Sequence, residues 1–397
     1  MEEPKDIQTQ AYVVDHKGAP FVLQDVILDK VLPTEVLVEM KYTGLCHTDI
    51  VVQNGGMPIG DYPVVLGHEG VGMVRWIGSA VSDKALKLSD NVALSFHTCQ
   101  QCRNCKAGQC GGCPHMTSVN FLNTARRAPP PASSESSSSS PSPISLLDGT
   151  SVHGQFFGQS SLSRLAVVTE RCVVRLNGAR PNELQYLAPM GCGYLTGAGT
   201  VMNILKPQAE DSVVVLGLGA VGFAAILAAV ALGVRRVVAV DLVDAKLDLA
   251  ASLGATDTIN TSGSSNKDLA VCIRSILPSG ADKIVDATGV PHLLESAIQC
   301  LAHGGTLALV GVPPPQAELK VNALDLLLSC QRVTGVIEGL SEPRTFIPRL
   351  FQLFRDGRFP IDRLATVYPA AQLARAIEDL KSGRVVKPIL SWEDDVV

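Results

Sequence analysis

Val213 to Val234 is a 22-residue stretch without a single charge, long enough on length alone to span a bilayer. Its internal order argues otherwise. The β-branched run SVVVL leads directly into Gly217, Gly219 and Gly222. An alanine-rich segment, Arg235 and Arg236, and a second β-branched run, VVAV, follow. Strand, glycine turn, buried helix and strand account for the whole stretch. A chain built on that unit is committed to a parallel sheet with helices on its faces.

The turn reads Gly217-Leu218-Gly219-Ala220-Val221-Gly222, with Asp241 ending the next strand 19 residues later. Alone, such a turn is common; in this context it matches a dinucleotide-binding fingerprint. The first glycine permits the turn, the second lets backbone approach a pyrophosphate, and the third lets helix pack on strand. The helix N-terminus adds donors and a dipole favourable to phosphate. A carboxylate at Asp241 can hold both ribose hydroxyls of NAD and would repel the extra phosphate of NADP, so NAD is expected. Two later runs, DKIVDATG (282–289) and GTLALVGVP (305–313), read as further buried strands with helical LLESAIQCLA between them. These place Gly289 and Gly311 along the carboxyl edge, where ligands bind in such sheets.

A second feature is the run CQQCRNCKAGQCGGC, with Cys99, Cys102, Cys105 and Cys113 spaced to wrap one ion. Upstream lie Cys46-His47-Thr48-Asp49 and Gly67-His68-Glu69. This suggests two metal sites: four thiolates saturate tetrahedral zinc, whereas a site with fewer protein ligands keeps a position for substrate. The spacing also allows an iron-sulfur cluster, and Cys110 is a spare that could compete. A disulfide knot is disfavoured, because MEEPKDIQTQ has no apolar core and a reducing cytoplasm is expected.

With 397 residues, two domains are expected. The net charge of -5 and scarce aromatics give no nucleic-acid or membrane surface.

Cys46-His47-Thr48-Asp49, Gly67-His68-Glu69, the cysteine run, GCGYLTG (191–197), the fingerprint and Ser382-Gly383-Arg384 together make the chain resemble the zinc-containing medium-chain alcohol dehydrogenases over nearly its whole length. HGQFFGQSSLS and MGCGYLTGAG are most similar to the aryl or benzyl alcohol dehydrogenase branch. The resemblance implies an α/β fold with a β-rich, GroES-like catalytic domain, about 1–193 and 338–397, and a doubly wound Rossmann domain, 194–337, with substrate in the cleft between them. It implies two zinc ions per chain. Cys46, His68 and Cys192 would hold the catalytic one; Cys99, Cys102, Cys105 and Cys113 would hold the structural one. Cys192 lies 146 residues from Cys46, and without the resemblance it reads as a small core residue.

By the same resemblance, zinc would act as a Lewis acid on an alcohol whose hydride passes to NAD, and Thr48 would take the alcohol proton towards the nicotinamide ribose. His47 would meet the pyrophosphate. Asp49 and Glu69 would orient ligands and tune the metal's charge. Thr196 would contact the nicotinamide, Lys246 the adenosine ribose and Lys387 the pyrophosphate, with Val221 and Val312 further cofactor contacts. Two departures stand out. Val51 replaces a histidine that completes the proton relay in many relatives, and Ser95 replaces a pocket phenylalanine, leaving room for a bulky substrate. Between the cysteine run and HGQFFGQSS, Arg126 to Ser145 is dominated by serine and proline and is expected to be a disordered surface loop.

The expected activity is hydride transfer between NAD and a primary, aromatic or bulky alcohol or its aldehyde, by a homodimer or homotetramer. The alternatives are glutathione-dependent formaldehyde oxidation, which needs a positive pocket, a non-catalytic NAD-binding protein with structural zinc only, and a zinc-free quinone reductase.

Overall fold

The computed structural model describes residues 3–57, 59–122, 142–262 and 269–393. They form two compact units, 1–192 with 343–348 and 365–397, and 193–342 with 349–364.

The first unit is β-rich. Ile7–Val14, whose last four residues are all buried, and Val22–Leu28, which buries Val26 and Leu28, are strands antiparallel to each other. Val64–Val65, Ile144–Leu146 and Ser151–Val152 extend this sheet to five strands. A second sheet of seven strands is centred on Glu35–Gly44, which pairs with Gly70–Ile77, Leu165–Thr169 and the C-terminal strand Lys387–Ser391. That last pairing brings residues more than 340 positions apart beside each other. Ala11, Val13, Val26, Leu28, Val65, Ile144 and Val167 pack in one core cluster of this unit.

The stretch expected to be disordered from Arg126 to Ser145 lies outside the described residues as far as 141. Its end is ordered: Ile144–Leu146 pairs with Val22–Leu28, because the Ile144 side chain belongs to that core.

The second unit holds six parallel strands in the order Asp257–Asn260, Arg236–Asp241, Ser212–Leu216, Ala281–Asp286, Leu301–Leu309 and Arg332–Gly335. Ser212–Leu216, buried throughout, is flanked on both sides, as a continuous apolar run requires. The helix Ala220–Ala231 after it buries eight residues, so the uncharged stretch is a strand and a core helix. No helix among the described residues is long and apolar enough to cross a membrane. Helix expectation and structure part at LLESAIQCLA: the helix Pro291–Gln299 stops early, and Leu301 starts the next strand. Residues 349–364, written with the first domain from sequence, pack in the second unit, where Arg358 donates to the Ala231 carbonyl and Arg363 to Ser252.

Candidate active site

In the first unit, the ligand atoms of Cys46, His68, Glu69 and Cys192 all lie within 4.8 Å of one another. Three chain segments meet there. Cys46 precedes the short helix His47–Gln53, His68 lies in the segment between Val64–Val65 and Gly70–Ile77, and Cys192 follows the 3-10 turn Ala188–Gly191. The Ser95 hydroxyl donates to the Gly191 carbonyl at 2.6 Å and fastens that turn to the strand Asn91–Leu94. Ser95 is fully buried, and its hydroxyl braces the Cys192 turn.

Asp49, fully buried, organises the cluster. Its carboxylate accepts from the backbone of Cys46 and of Gly67, both at 3.1 Å, and from His68 Nδ1 at 3.0 Å. With Nδ1 so engaged, Nε2 is the ring atom left for a metal, and it is buried without a hydrogen-bond partner. Gln159 holds the backbone around it, donating to the His68 and Ser95 carbonyls and accepting from Gly70. The Phe157 ring stacks on the imidazole at 4.6 Å, and Phe156 meets it edge-on at 5.5 Å.

The electrostatics follow from burial and proximity. A hydrogen bond with Cys192 holds the Cys46 thiol well below the ordinary thiol range, and the His68 and Lys387 charges reinforce it against burial. Burial pulls His68 down, but the Asp49 carboxylate and Cys46 outweigh it and hold the imidazole well above its usual value. Two thiols and an imidazole whose buried Nε2 has no hydrogen-bond partner form a donor set suited to zinc, which would bind them as their protons leave.

Glu69 is fully buried and ion-paired with Lys387 Nζ at 2.6 Å. Burial raises the Glu69 carboxyl, an effect that Lys387 partly offsets; burial pulls Lys387 down, but Glu69 and Cys46 raise it further. This corrects the expectation for Lys387. Its ammonium is buried, spent on Glu69 and on the Leu45 carbonyl at 3.0 Å, and is not presented to a pyrophosphate. Sequence had no signal for that pair, since 318 positions separate the partners.

Thr48 is half-buried, with Oγ1 3.7 Å from Cys46 Sγ. His47 is exposed and Val51 half-buried.

The second cluster, Cys99, Cys102, Cys105 and Cys113, also gathers its sulfurs within 4.8 Å. The Cys99 sulfur accepts from the backbone of Gln101 and Cys102, and the Cys102 sulfur from that of Cys105. Despite burial, those donors pull the Cys99 thiol down to about 6; burial and Cys102 push Cys105 up to about 12. Backbone donors aimed at sulfur stabilise thiolates, and four of them fit one closed tetrahedral ion. None of the eleven cysteines is disulfide-bonded, and Cys110 is not in the cluster.

In the second unit, Gly217 has φ +87°, where a side chain would be strained. A Cβ at Gly222 would lie 1.9 Å from the Gly217 carbonyl, whereas one at Gly219 would meet nothing within 4 Å. The third glycine therefore seats the helix, and the second faces open space of the kind a pyrophosphate fills. Val221 is in the first turn of that helix. Asp241 accepts from the backbone of Leu218, Leu242 and Val243, fixing its carboxylate beside the glycine turn. Lys246 is half-buried on the helix Asp244–Ser252, and exposed Val312 backs its carbonyl on Gly289. Thr196 is buried and its hydroxyl donates to Glu338 at 3.1 Å, a partner that spacing gave no reason to choose.

Residues 32–130 match the model of the alcohol dehydrogenase GroES-like domain, and 220–354 that of the zinc-binding dehydrogenase. The chain is 36% identical to a geraniol dehydrogenase of Castellaniella defragrans over 393 residues, 98% of this chain and all of that one. Alcohol dehydrogenase 1 of Solanum tuberosum is 30% identical, with 98% of each chain covered. The crystal structure of benzyl alcohol dehydrogenase from Acinetobacter calcoaceticus superposes with a TM-score of 0.87 at 34% identity, covering 97% of this chain and 99% of that one. The chain belongs to the zinc-containing medium-chain alcohol dehydrogenase family. It is a zinc- and nicotinamide-dependent oxidoreductase, and the formaldehyde and non-catalytic alternatives are not favoured.

Proposed function

We propose that this chain interconverts a primary alcohol and its aldehyde, with a π-system beside the reacting carbon, using NAD. The observation that carries the reading is the buried His68 Nε2 without a hydrogen-bond partner, held between Cys46 and Cys192 and walled by Phe156 and Phe157. Geraniol and benzyl alcohol, the substrates named for two similar proteins, support the substrate class.

Cys46, His68 and Cys192 would hold the catalytic zinc, which would supply Lewis acidity towards an alcohol oxygen, with NAD as the hydride acceptor. Asp49 fixes the tautomer and orientation of His68. The Thr48 hydroxyl, beside Cys46, accepts the alcohol proton and passes it on; with Val51 unable to relay it, solvent or His47 receives it. The Glu69–Lys387 pair is net neutral beneath two thiolates and leaves the cluster's charge to the metal and its ligands. Asp241 favours NAD over NADP, and Gly217, Gly219, Gly222, Val221, Thr196, Lys246 and Val312 complete the cofactor contacts. The domain boundary near 193 follows the family pattern.

A homodimer suits the edge strand Arg332–Gly335 and the helix Ala323–Leu328, which buries none of its residues and exposes Leu324, Leu327 and Leu328. Open edges with apolar neighbours are stable when a second copy covers them. Eleven unbridged cysteines suit the reducing cytoplasm.

The test is NADH formation from benzylic, allylic and aliphatic alcohols, with and without a zinc chelator and repeated with NADP. Turnover of the first two classes, lost on chelation, is expected. Zinc-loaded protein inert to every alcohol and aldehyde would overturn the reading.

A further inference from the structure

Four residues stand between the two cysteine-bearing clusters and have no task in the chemistry above. They come as two adjacent pairs, Asn120–Phe121 and Arg171–Cys172, and each pair has one residue bonded to the backbone at 97–99 that leads into the four-cysteine loop and the next on Phe157. Asn120, fully buried, accepts from the His97 backbone at 2.8 Å and donates to the His97 carbonyl at 3.0 Å, just before Cys99. The Phe121 ring then packs on Phe157 at 5.1 Å and on Phe156 at 5.6 Å. Arg171 donates to the carbonyls of Thr98, at 3.1 Å, and Cys99, at 2.8 Å. The buried Cys172 thiol donates to the Phe157 carbonyl at 3.2 Å.

Phe157 is the element both pairs converge on, and its backbone is unusual: φ is 53° and ψ 31°, a left-handed conformation for a residue with a bulky side chain. Such a conformation costs on the order of 1–3 kcal/mol and persists only where the surroundings over-determine it. Here a thiol holds its carbonyl and two aromatic rings hold its side chain. Phe157 in turn stacks on His68 with the planes 25° apart. Asp49 fixes one nitrogen of the imidazole, whereas the stacked ring fixes the plane in which Nε2 points.

We propose that Asn120–Phe121 and Arg171–Cys172 are positioning residues through which the four-cysteine lobe fixes the imidazole plane of His68. The closed cluster thus acts on the open one as well as on the fold. The inference rests on His68 being a ligand of the catalytic metal.

The experiment follows the release of two zinc equivalents from the full chain to a chromophoric chelator, and the visible spectrum after cobalt replaces the more labile ion. Cys46→Ser identifies the phase belonging to the His68 cluster, because that phase is missing from it. Phe121→Leu and Cys172→Ser touch Phe157 from opposite sides. Each is expected to accelerate that phase alone, by about tenfold or more, and to shift the cobalt bands. If one variant fails to fold, the other decides. Both phases accelerating together, the four-cysteine phase alone accelerating, or rates within about twofold of the parent with unchanged bands would overturn the proposal. A parent that binds a single zinc would instead overturn the catalytic reading, a separate and visible result.

Discussion

The two cysteine-bearing clusters are built on opposite principles. Cys99, Cys102, Cys105 and Cys113 come from one short loop whose own backbone donors face the sulfurs, so the loop's local geometry suffices to make the site. Cys46, His68 and Cys192 come from three distant segments and meet only because two sheets, the Asp49 carboxylate and the Ser95–Gly191 bond bring them together. A local, all-thiolate site stabilises structure and leaves no room for substrate. An assembled site with an imidazole, an aromatic wall and a nearby hydroxyl can be adjusted piece by piece, and chemistry belongs there.

The sharpest break between them is expected from Cys46→Ser. Turnover should fall by roughly 10³-fold or more, the loss of several kcal/mol of charge stabilisation, while one zinc equivalent and the thermal transition survive. Cys102→Ser should do the reverse in kind, lowering the melting temperature sharply because the ion held there contributes folding free energy. Differential scanning calorimetry with metal analysis separates the two.

A third effect is pH-dependent. Burial, reinforced by Arg171, pulls His97 down to about 4 from 6.5. The folded state therefore keeps this ring neutral where the unfolded chain would protonate it. The stability it contributes is complete above about pH 6.5 and is lost as pH falls towards 4, a difference of about 3 kcal/mol. Replacing His97 by glutamine should flatten that part of the stability profile relative to the parent, measured by denaturant unfolding at matched zinc. An identical profile would show that the ring is not buried neutral. The smallest effect is expected from Asp49→Asn, which keeps the shape but removes the charge facing His68. Zinc affinity at the catalytic cluster should fall by about 10- to 100-fold, read by chelator competition, with the four-cysteine equivalent unchanged.

Legibility in the sequence tracked the same contrast. The four-cysteine loop and the glycine turn could be read because their chemistry lies within short spacings, and SVVVL and EVLVEMKYTG appear in the structure as the strands Ser212–Leu216 and Glu35–Gly44. Cys192 was reachable only by resemblance, since nothing local distinguishes it from a packed thiol. Lys387, given to the pyrophosphate by resemblance, is misplaced for a related reason: only the pairing of Lys387–Ser391 with Glu35–Gly44 carries it to Glu69. Phe121 and Glu338 give no signal, and Phe157 stands out only within HGQFFGQSSLS, because ring stacking and left-handed backbone leave no periodic trace. Ile144–Leu146 escaped notice because three strand residues at the end of a serine-rich run are too few to show alternation.

The central claim is that one cluster performs the chemistry and the other holds the scaffold. Stepwise removal of zinc by a chelator, with benzyl alcohol oxidation followed in the same samples, tests it most directly. Activity is expected to disappear in step with the single equivalent that Cys46→Ser lacks, while the four-cysteine equivalent and the folded state remain. Activity that survives loss of that equivalent, or that tracks the four-cysteine one, would contradict it.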